Sequence, residues 1–133
     1  MIHGDADVVA QAFALEPGVR VLWAHLGTVP EPAQLSAMLE RYPLLWIDTS
    51  VRDERMAPDG RLLAVWRALF ERHPERFAVA VDSFSVNRWQ HYEQVVARIR
   101  GWVDPLPQPL KQNLLHDNAA RLFENFRSPL SHP

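Results

Sequence analysis

The chain has 133 residues, of which 47% are hydrophobic and 23% charged, so it is large enough for one domain with a buried core. A formal net charge of −2 gives no electrostatic reason to expect binding to nucleic acid or to an anionic membrane. The chain contains no cysteine, which excludes disulfides and thiolate chemistry, and no apolar stretch approaches the roughly 18 residues that a membrane span requires.

The beginning of the chain predicts two helices around a short strand. Asp5 is placed to cap a helix that ends at Pro17 and Gly18. The apolar run over residues 19–24 is typical of a parallel strand covered on both faces. Pro32 stands where the first turn of a helix tolerates proline, and the apolar spacing after it predicts an amphipathic helix.

The same alternation continues along the chain. Residues 44–47 form the next predicted strand, and the polar loop over residues 48–60 is the longest connection, which makes it a candidate binding segment. A helix over residues 62–70 leads into a strand over residues 77–81. A further helix is predicted over residues 92–102, and the prolines that follow it mark its end.

The last part of the chain predicts a helical tail without a linker before it. Residues 110–126 have helical periodicity, with an interruption where Asn118 could cap the last segment. Beyond this helix the sequence has no periodicity. We therefore expect one domain over residues 1–127 and a disordered tail over residues 128–133.

This order of elements limits the architecture. Strand–helix alternation with right-handed crossovers gives either an open doubly wound sheet or part of a barrel. The strands lack a Gly-rich phosphate loop, which disfavours a nucleotide-binding fold. A closed (β/α)8 barrel takes about 250 residues and eight strands. The sequence therefore predicts an α/β fold that is half of a (β/α)8 TIM barrel, with about three to four parallel strands and flanking helices.

An ionisable residue follows each predicted strand. His25, Asp48 and Asp82 stand at the strand ends, and His3 has the equivalent place after the first two residues. Because parallel strands have their carboxyl ends on one face, these side chains should converge. Neutral imidazole and carboxylate suit Zn²⁺, Mn²⁺ or Fe²⁺, and such an ion lowers the pKa of a bound water toward neutrality. We expect a divalent metal, Zn²⁺ first, although three ligands would hold it poorly.

Each candidate also has a structural interpretation. His25 could be a strand-end histidine bonded to a backbone carbonyl, and either aspartate could cap the helix that follows it. Capping is favoured for Asp48, and chemistry is favoured for Asp82. Arg52 and Arg55 are interpreted as a solvated loop face rather than a substrate clamp.

Five short segments resemble, in order and spacing, the second half of the amidohydrolase superfamily. The similarity is closest to the amidohydrolase-related branch of small-molecule hydrolases and some metal-dependent decarboxylases. The segments are Met-Ile-His-Gly-Asp (1–5), Val-Leu-Trp-Ala-His-Leu-Gly (21–27), Leu-Trp-Ile-Asp-Thr-Ser (45–50), Ala-Val-Asp-Ser-Phe (80–84) and Asn-Ala-Ala-Arg-Leu-Phe (118–123).

The resemblance implies a role for several residues. His3 and His25 resemble the metal-binding histidines of the fifth and sixth barrel strands. Asp82 resembles the eighth-strand aspartate, which contacts the metal and acts as the general base toward water. The segment from Asn118 to Phe123 resembles a closing helix without chemistry. The family's His-x-His pair and its fourth-strand lysine or glutamate have no counterpart here, and the residues around Asp82 depart from the usual context.

Two functions from different classes follow. The first is metal-dependent hydrolysis of a C–N or C–O bond of a small molecule through a metal-activated water, or a related decarboxylation, at a site completed by an N-terminal half or a partner chain. The second is a non-catalytic half-barrel that self-associates into a homo-oligomer, because an open parallel sheet exposes strand edges. No nucleic acid or membrane partner is expected, and the absence of a leader pattern predicts a cytoplasmic protein.

Overall fold

The computed structural model describes residues 1–124 and shows a parallel sheet connected by helices. The described strands are β1 (Val21–Trp23), β2 (Leu45–Asp48) and β3 (Phe77–Ala78). The described helices are α1 (Ala6–Leu15), α2 (Pro32–Arg41), α3 (Asp53–Met56), α4 (Ala64–Arg72), α5 (Val86–Gln90), α6 (Tyr92–Val103), α7 (Gln108–Gln112) and α8 (Asn118–Glu124). The predicted domain end at residue 127 and the tail predicted over residues 128–133 lie outside the described residues.

The sheet of the described residues is open and parallel. Its strands pair in the order β1-β2-β3, with Ile47 of β2 opposite Phe77 of β3. Ile2 adds an isolated parallel bridge to Trp23, and its N–H donates to the Leu22 carbonyl at 2.8 Å. Three strands and the stub of a fourth thus confirm the predicted fold class, a partial (β/α)8 barrel.

β1 and β3 are shorter than the strands predicted from the sequence. β1 ends because the backbone becomes left-handed at His25 and Leu26, with φ of 59° and 58°. β3 ends because the Val79 N–H donates to the Leu114 carbonyl at 2.9 Å, which lies in a helical segment rather than in a strand. Both endings result from contacts or turns that an apolar run does not encode.

Most predicted helices are present, and their ends follow local rules. The Asp5 carboxylate accepts the N–H groups of Asp7 and Val8 at 3.1 and 3.2 Å, which confirms it as the cap of α1. The predicted loop over residues 48–60 contains the short helix α3, and α5 was not predicted. No helix within residues 1–124 is long and apolar enough to cross a membrane.

The C-terminal helices are continuous, so the predicted interruption is wrong. α7 runs through a π-helical turn, Asn113–Asp117, into α8. Asn118 has helical angles and does not cap α8; its Nδ2 donates to the carbonyls of Pro74 and Phe77 at 2.9 and 2.7 Å. Because Asn118 is buried, these bonds tie α8 to the start of β3.

Aromatic side chains join the helices to the sheet. The Phe70 ring of α4 lies 4.9 Å from the Phe77 ring of β3 and 6.0 Å from the Trp102 ring of α6, and all three are buried. Burial of each ring stabilises the fold by about 2–3 kcal/mol. Trp46 of β2 is only partly buried, with the Arg76 guanidinium 5.3 Å from its ring. The three buried rings therefore pack α4 and α6 against β3.

Candidate active site at the carboxyl ends of the strands

The strand-end residues predicted from the sequence converge around His25. His25 Nε2 lies 3.5 Å from Asp82 Oδ2, and His25 Nδ1 lies 3.7 Å from Asp48 Oδ1. The centroid of the His3 ring is 4.9 Å from that of the His25 ring. The structure therefore places His3, Asp48 and Asp82 around His25, as the positions at the strand ends predict.

A buried hydrogen-bond chain supports His25 from below. Asp48 Oδ1 accepts the N–H of Ser50 at 2.9 Å and the N–H of His25 at 3.3 Å. The Ser50 hydroxyl donates to the same Asp48 oxygen, and its Oγ lies 2.7 Å from His25 Nδ1. Asp48 and Ser50 are both almost fully buried, so water does not compete for these bonds.

This chain of bonds favours one tautomer of His25. A serine hydroxyl has one proton, and the Ser50 proton is directed to Asp48. Ser50 Oγ is therefore free to accept a hydrogen bond from His25 Nδ1–H, and the neutral ring in this tautomer has no proton on Nε2, the nitrogen that faces Asp82. A bonded Nδ1–H with a free Nε2 is the arrangement that metal-binding histidines usually have.

Neither aspartate caps a helix. Asp48 lies at the end of β2, while the cap position of α3 is Arg52, which makes no side-chain capping bond; the capping interpretation of Asp48 is wrong. Ser85 caps α5 by accepting the Arg88 N–H at 3.3 Å, so Asp82 is not used for capping either. The Asp82 side chain is 35% exposed and points toward His25.

The turns that carry these residues have an unusual backbone. Positive φ angles cost an L-residue about 1–2 kcal/mol and cluster at functional sites. Among residues 1–124, every non-glycine residue with positive φ lies in a turn after a strand, namely His25, Leu26, Val51 and Asp82. Gly27 has φ of 76°, and a Cβ there would lie 2.5 Å from the Trp23 ring, so only glycine fits.

Arg52 contacts the turn after β1 and does not belong to a solvated loop face. Its Nε donates to the His25 carbonyl and one terminal nitrogen donates to the Gly27 carbonyl, both at 2.9 Å. The solvated interpretation is therefore wrong for Arg52. It is confirmed for Arg55, which is exposed and pairs with Glu31 at 2.6 Å.

Arg88 makes similar contacts to the turn after β3. Its Nε donates to the Asp82 carbonyl at 2.7 Å, and a terminal nitrogen donates to the Val81 carbonyl at 2.7 Å. Arg88 also lies near Asp53, a buried carboxylate that accepts the Trp102 indole N–H at 3.2 Å. Burial raises the pKa of Asp53, although the Trp102 bond and the charge of Arg88 oppose this rise.

The donor geometry suits part of a metal site. Ligands of a tetrahedral Zn²⁺ with bonds of 2.0–2.1 Å lie about 3.4 Å apart. His25 Nε2 and Asp82 Oδ2 are 3.5 Å apart, which matches two corners of such a site. Among residues 1–124, however, no group of three or more His, Cys, Asp or Glu side chains is placed to hold a metal ion. The ligand set of His3, His25 and Asp82 stays a prediction.

Several residues of this region were not predicted from the sequence. Ser50 had a local signal, since serine two residues after Asp48 suits a turn in which the aspartate accepts the serine N–H. Arg52, Asp53 and Arg88 had none, because their partners are distant in the sequence or belong to the backbone.

A family model described as amidohydrolase matches residues 1–124. No curated protein and no solved structure matches the chain. The family match covers all five segments on which the sequence resemblance depends.

Proposed function

The chain belongs to the amidohydrolase family, and we propose that its strand ends form one side of a metal-dependent hydrolase site. The observation that supports this proposal is the pair of His25 Nε2 and Asp82 Oδ2, which are 3.5 Å apart at the edge where the strands end. The proposed reaction is hydrolysis of a C–N or C–O bond in a small molecule.

His25 and Asp82 would hold the metal, with His3 as the third ligand from this chain. A divalent ion there would supply a water of lowered pKa and polarise the bond to be broken. The bond from His25 Nδ1 to Ser50, and the bond from Ser50 to Asp48, favour a proton on Nδ1. The lone pair of Nε2 is then available to bind a metal, and no proton has to leave that nitrogen first. Preorganisation of this kind strengthens binding because the ring needs no reorientation.

Asp82 is the proposed general base. Its carboxylate is 35% exposed, so water can reach it, and its Oδ2 faces the proposed metal position. In the reaction the oxygen of water bonds to the carbon of the substrate while the C–N or C–O bond breaks. Asp82 takes the proton from the water and delivers it to the leaving nitrogen or oxygen.

The proposed site needs donors beyond those of the described residues. Among the described residues only His25 and Asp82 have donor atoms that face each other at a metal-ligand separation, one fewer than the three protein ligands that a catalytic Zn²⁺ usually has. We place the remaining donors on an N-terminal half or a partner chain. A metal-dependent decarboxylase would use the same residues, so the reaction class depends on those further donors.

Self-association is the second candidate function. Phe84, Val86 and Trp89 expose 74%, 75% and 62% of their surface in the segment that follows Asp82. Such neighbouring exposed apolar side chains are typical of interaction surfaces. A half-barrel that dimerises there would require no metal.

Metal binding tests the proposal. The full chain is titrated with Co²⁺, whose visible absorption reports a nitrogen and oxygen ligand field. His25→Ala and Asp82→Asn should each lower the Co²⁺ affinity at least about tenfold. His116→Ala is the matched control, because His116 forms an exposed pair with Asp117 at 2.8 Å outside the site. Equal affinity in all four proteins would contradict the proposal.

A further inference from the structure

Two arginine side chains donate hydrogen bonds to the two turns that carry His25 and Asp82. We infer that Arg52 and Arg88 are positioning residues, which hold the left-handed turns at His25 and Asp82 so that Nε2 and Oδ2 face each other. The inference rests on the proposed function in treating His25 and Asp82 as site residues. The distance between His25 Nε2 and Asp82 Oδ2, which it explains, does not depend on a metal or a substrate.

Arg52 reaches back from the turn after β2 to the turn after β1. Its guanidinium donates to the carbonyls of His25 and Gly27, which flank Leu26. His25 and Leu26 both have positive φ, and Gly27 has the φ of 76° that completes the reversal. The two bonds therefore span the whole turn, and they fix the backbone from which the His25 ring projects.

The left-handed backbone at Val51 places Arg52 where its side chain can contact the turn after β1. Val51 has φ of 58°, an outlier for a β-branched residue. This reversal lies between Ser50, which contacts His25 Nδ1, and Arg52, which contacts the His25 carbonyl. The residues on either side of Val51 thus both contact His25: Ser50 contacts its ring, and Arg52 contacts its backbone carbonyl.

Arg88 does the same for the turn after β3 from within α5. Its guanidinium donates to the carbonyls of Val81 and of Asp82, which is itself the residue with φ of 50°. The Arg88 N–H is bonded to Ser85, which caps α5 and holds the arginine in place. The orientation of Asp82 therefore depends on Arg88 of α5, the helix that follows Asp82 in the chain.

The guanidinium group suits this role better than any other side chain. The carbonyls of His25, Gly27, Val81 and Asp82 lie beyond the strands, so no neighbouring strand supplies them with N–H groups. The bonds to the carbonyls of His25, Gly27 and Val81 are partly buried, and a partly buried carbonyl outside the sheet still needs a donor. Arginine offers several N–H groups in a rigid fork that binds two acceptors at once, whereas lysine acts as a single flexible point charge.

The chain contains a matched control at the other end of the sheet. Arg76 donates through Nε to the Leu45 carbonyl at 2.8 Å and through a terminal nitrogen to the Tyr42 carbonyl at 2.7 Å. This fork binds the turn that enters β2, away from His25 and Asp82. Arg76→Lys should thus weaken the fold in a similar way without moving the site.

The test compares Arg52→Lys, Arg88→Lys and Arg76→Lys in the full, metal-free chain by NMR. The readouts are the cross-peak between the His3 and His25 rings and the cross-peak between the His25 ring and the Asp82 β protons. We expect Arg52→Lys to lose both cross-peaks, Arg88→Lys to lose the second, and Arg76→Lys to keep both. Retention of both in the first two variants, or equal loss in all three, overturns the inference.

A measurement on the unmodified protein covers the case in which a variant does not fold. The Nε–H protons of Arg52 and Arg88 should exchange with solvent at least tenfold more slowly than that of Arg55, which is exposed and whose bond to Glu31 uses a terminal nitrogen. Exchange as fast as that of Arg55 overturns the inference. Both readouts omit metal, so they separate a failure of this inference from a failure of the proposed hydrolase function.

Discussion

His25 Nε2 lies 3.5 Å from Asp82 Oδ2 although β2 separates the strands that carry these two residues. The residue between them, Asp48, is buried below and bonds to the backbone of His25. Such an approach across an intervening strand is expected where a parallel sheet curves, as it does in a barrel. The left-handed turns that follow β1 and β3 carry the two residues of the candidate site.

Loss of the Ser50 hydroxyl should free the His25 ring. In Ser50→Ala the His25 Nδ1–H loses its buried acceptor, so the free energy of unfolding should fall by about 1–2 kcal/mol and the ring should sample both tautomers. Urea denaturation and NMR of the ring measure these changes. Ser36→Ala is the control, because Ser36 contacts His73 at 2.8 Å outside the site; a His25 spectrum unchanged in Ser50→Ala contradicts the prediction.

Asp48 should contribute more than Asp82 to the free energy of unfolding. Asp48→Asn loses a buried carboxylate with three donors and should destabilise the fold by about 2–3 kcal/mol. Asp82→Asn removes a partly exposed carboxylate that accepts few bonds, so stability should change by less than about 0.5 kcal/mol. Chemical denaturation of both variants gives the comparison. A larger loss in Asp82→Asn would assign Asp82 a mainly structural role.

Asp53 should make the fold less stable as pH rises. Burial raises the pKa of Asp53 in the folded state, so the folded state binds this proton more tightly than the unfolded chain does. The resulting stabilisation is present below the unfolded pKa and is lost as pH rises through the folded pKa. Asp53→Asn keeps an acceptor for Trp102 and does not titrate, so it should gain stability relative to the original protein with rising pH.

Asp104→Asn provides a control of opposite sign for this experiment. The bond from Lys111 lowers the pKa of Asp104, so the stability that the ionised carboxylate contributes is present above the unfolded pKa and lost as pH falls. The Asp104 variant should therefore lose stability relative to the original protein as pH rises. Denaturation at several pH values between about 3 and 7 measures both differences. Parallel curves for Asp53→Asn and the original protein would refute the prediction for Asp53.

Relief of the left-handed turn at Val51 should stabilise the protein. Val51→Gly removes strain of about 1–2 kcal/mol, and the greater entropy of its unfolded chain costs about 0.5–1 kcal/mol, so a net gain of up to about 1.5 kcal/mol is expected. Val29→Gly has the same entropic effect at an exposed position without positive φ and should only destabilise. Equal thermal shifts in the two variants would show that Val51 stores no strain.

Local rules were sufficient for most of the fold. The caps and proline positions of α1 and α2 and the apolar runs of the three strands follow from neighbouring residues, and chain order alone placed His25 and Asp82 at one edge. The family match over residues 1–124 confirms the resemblance that these positions suggested.

Long-range hydrogen bonds account for what the sequence did not predict. Asp48 was interpreted as a cap because the bonds that it makes to His25 join distant positions. Arg52 and Asn118 were misassigned because each bonds to backbone carbonyls of another element, and a carbonyl has no sequence signature. Partner molecules, the substrate and the ligand set stay predictions.

The tautomer of His25 tests the account most directly. Long-range ¹H–¹⁵N correlation spectra of the metal-free chain are recorded at about pH 8. The bonds from His25 to Ser50 and from Ser50 to Asp48 predict a proton on Nδ1 and none on Nε2. A proton on Nε2 would contradict the account, because the nitrogen that faces Asp82 would then be unavailable to a metal.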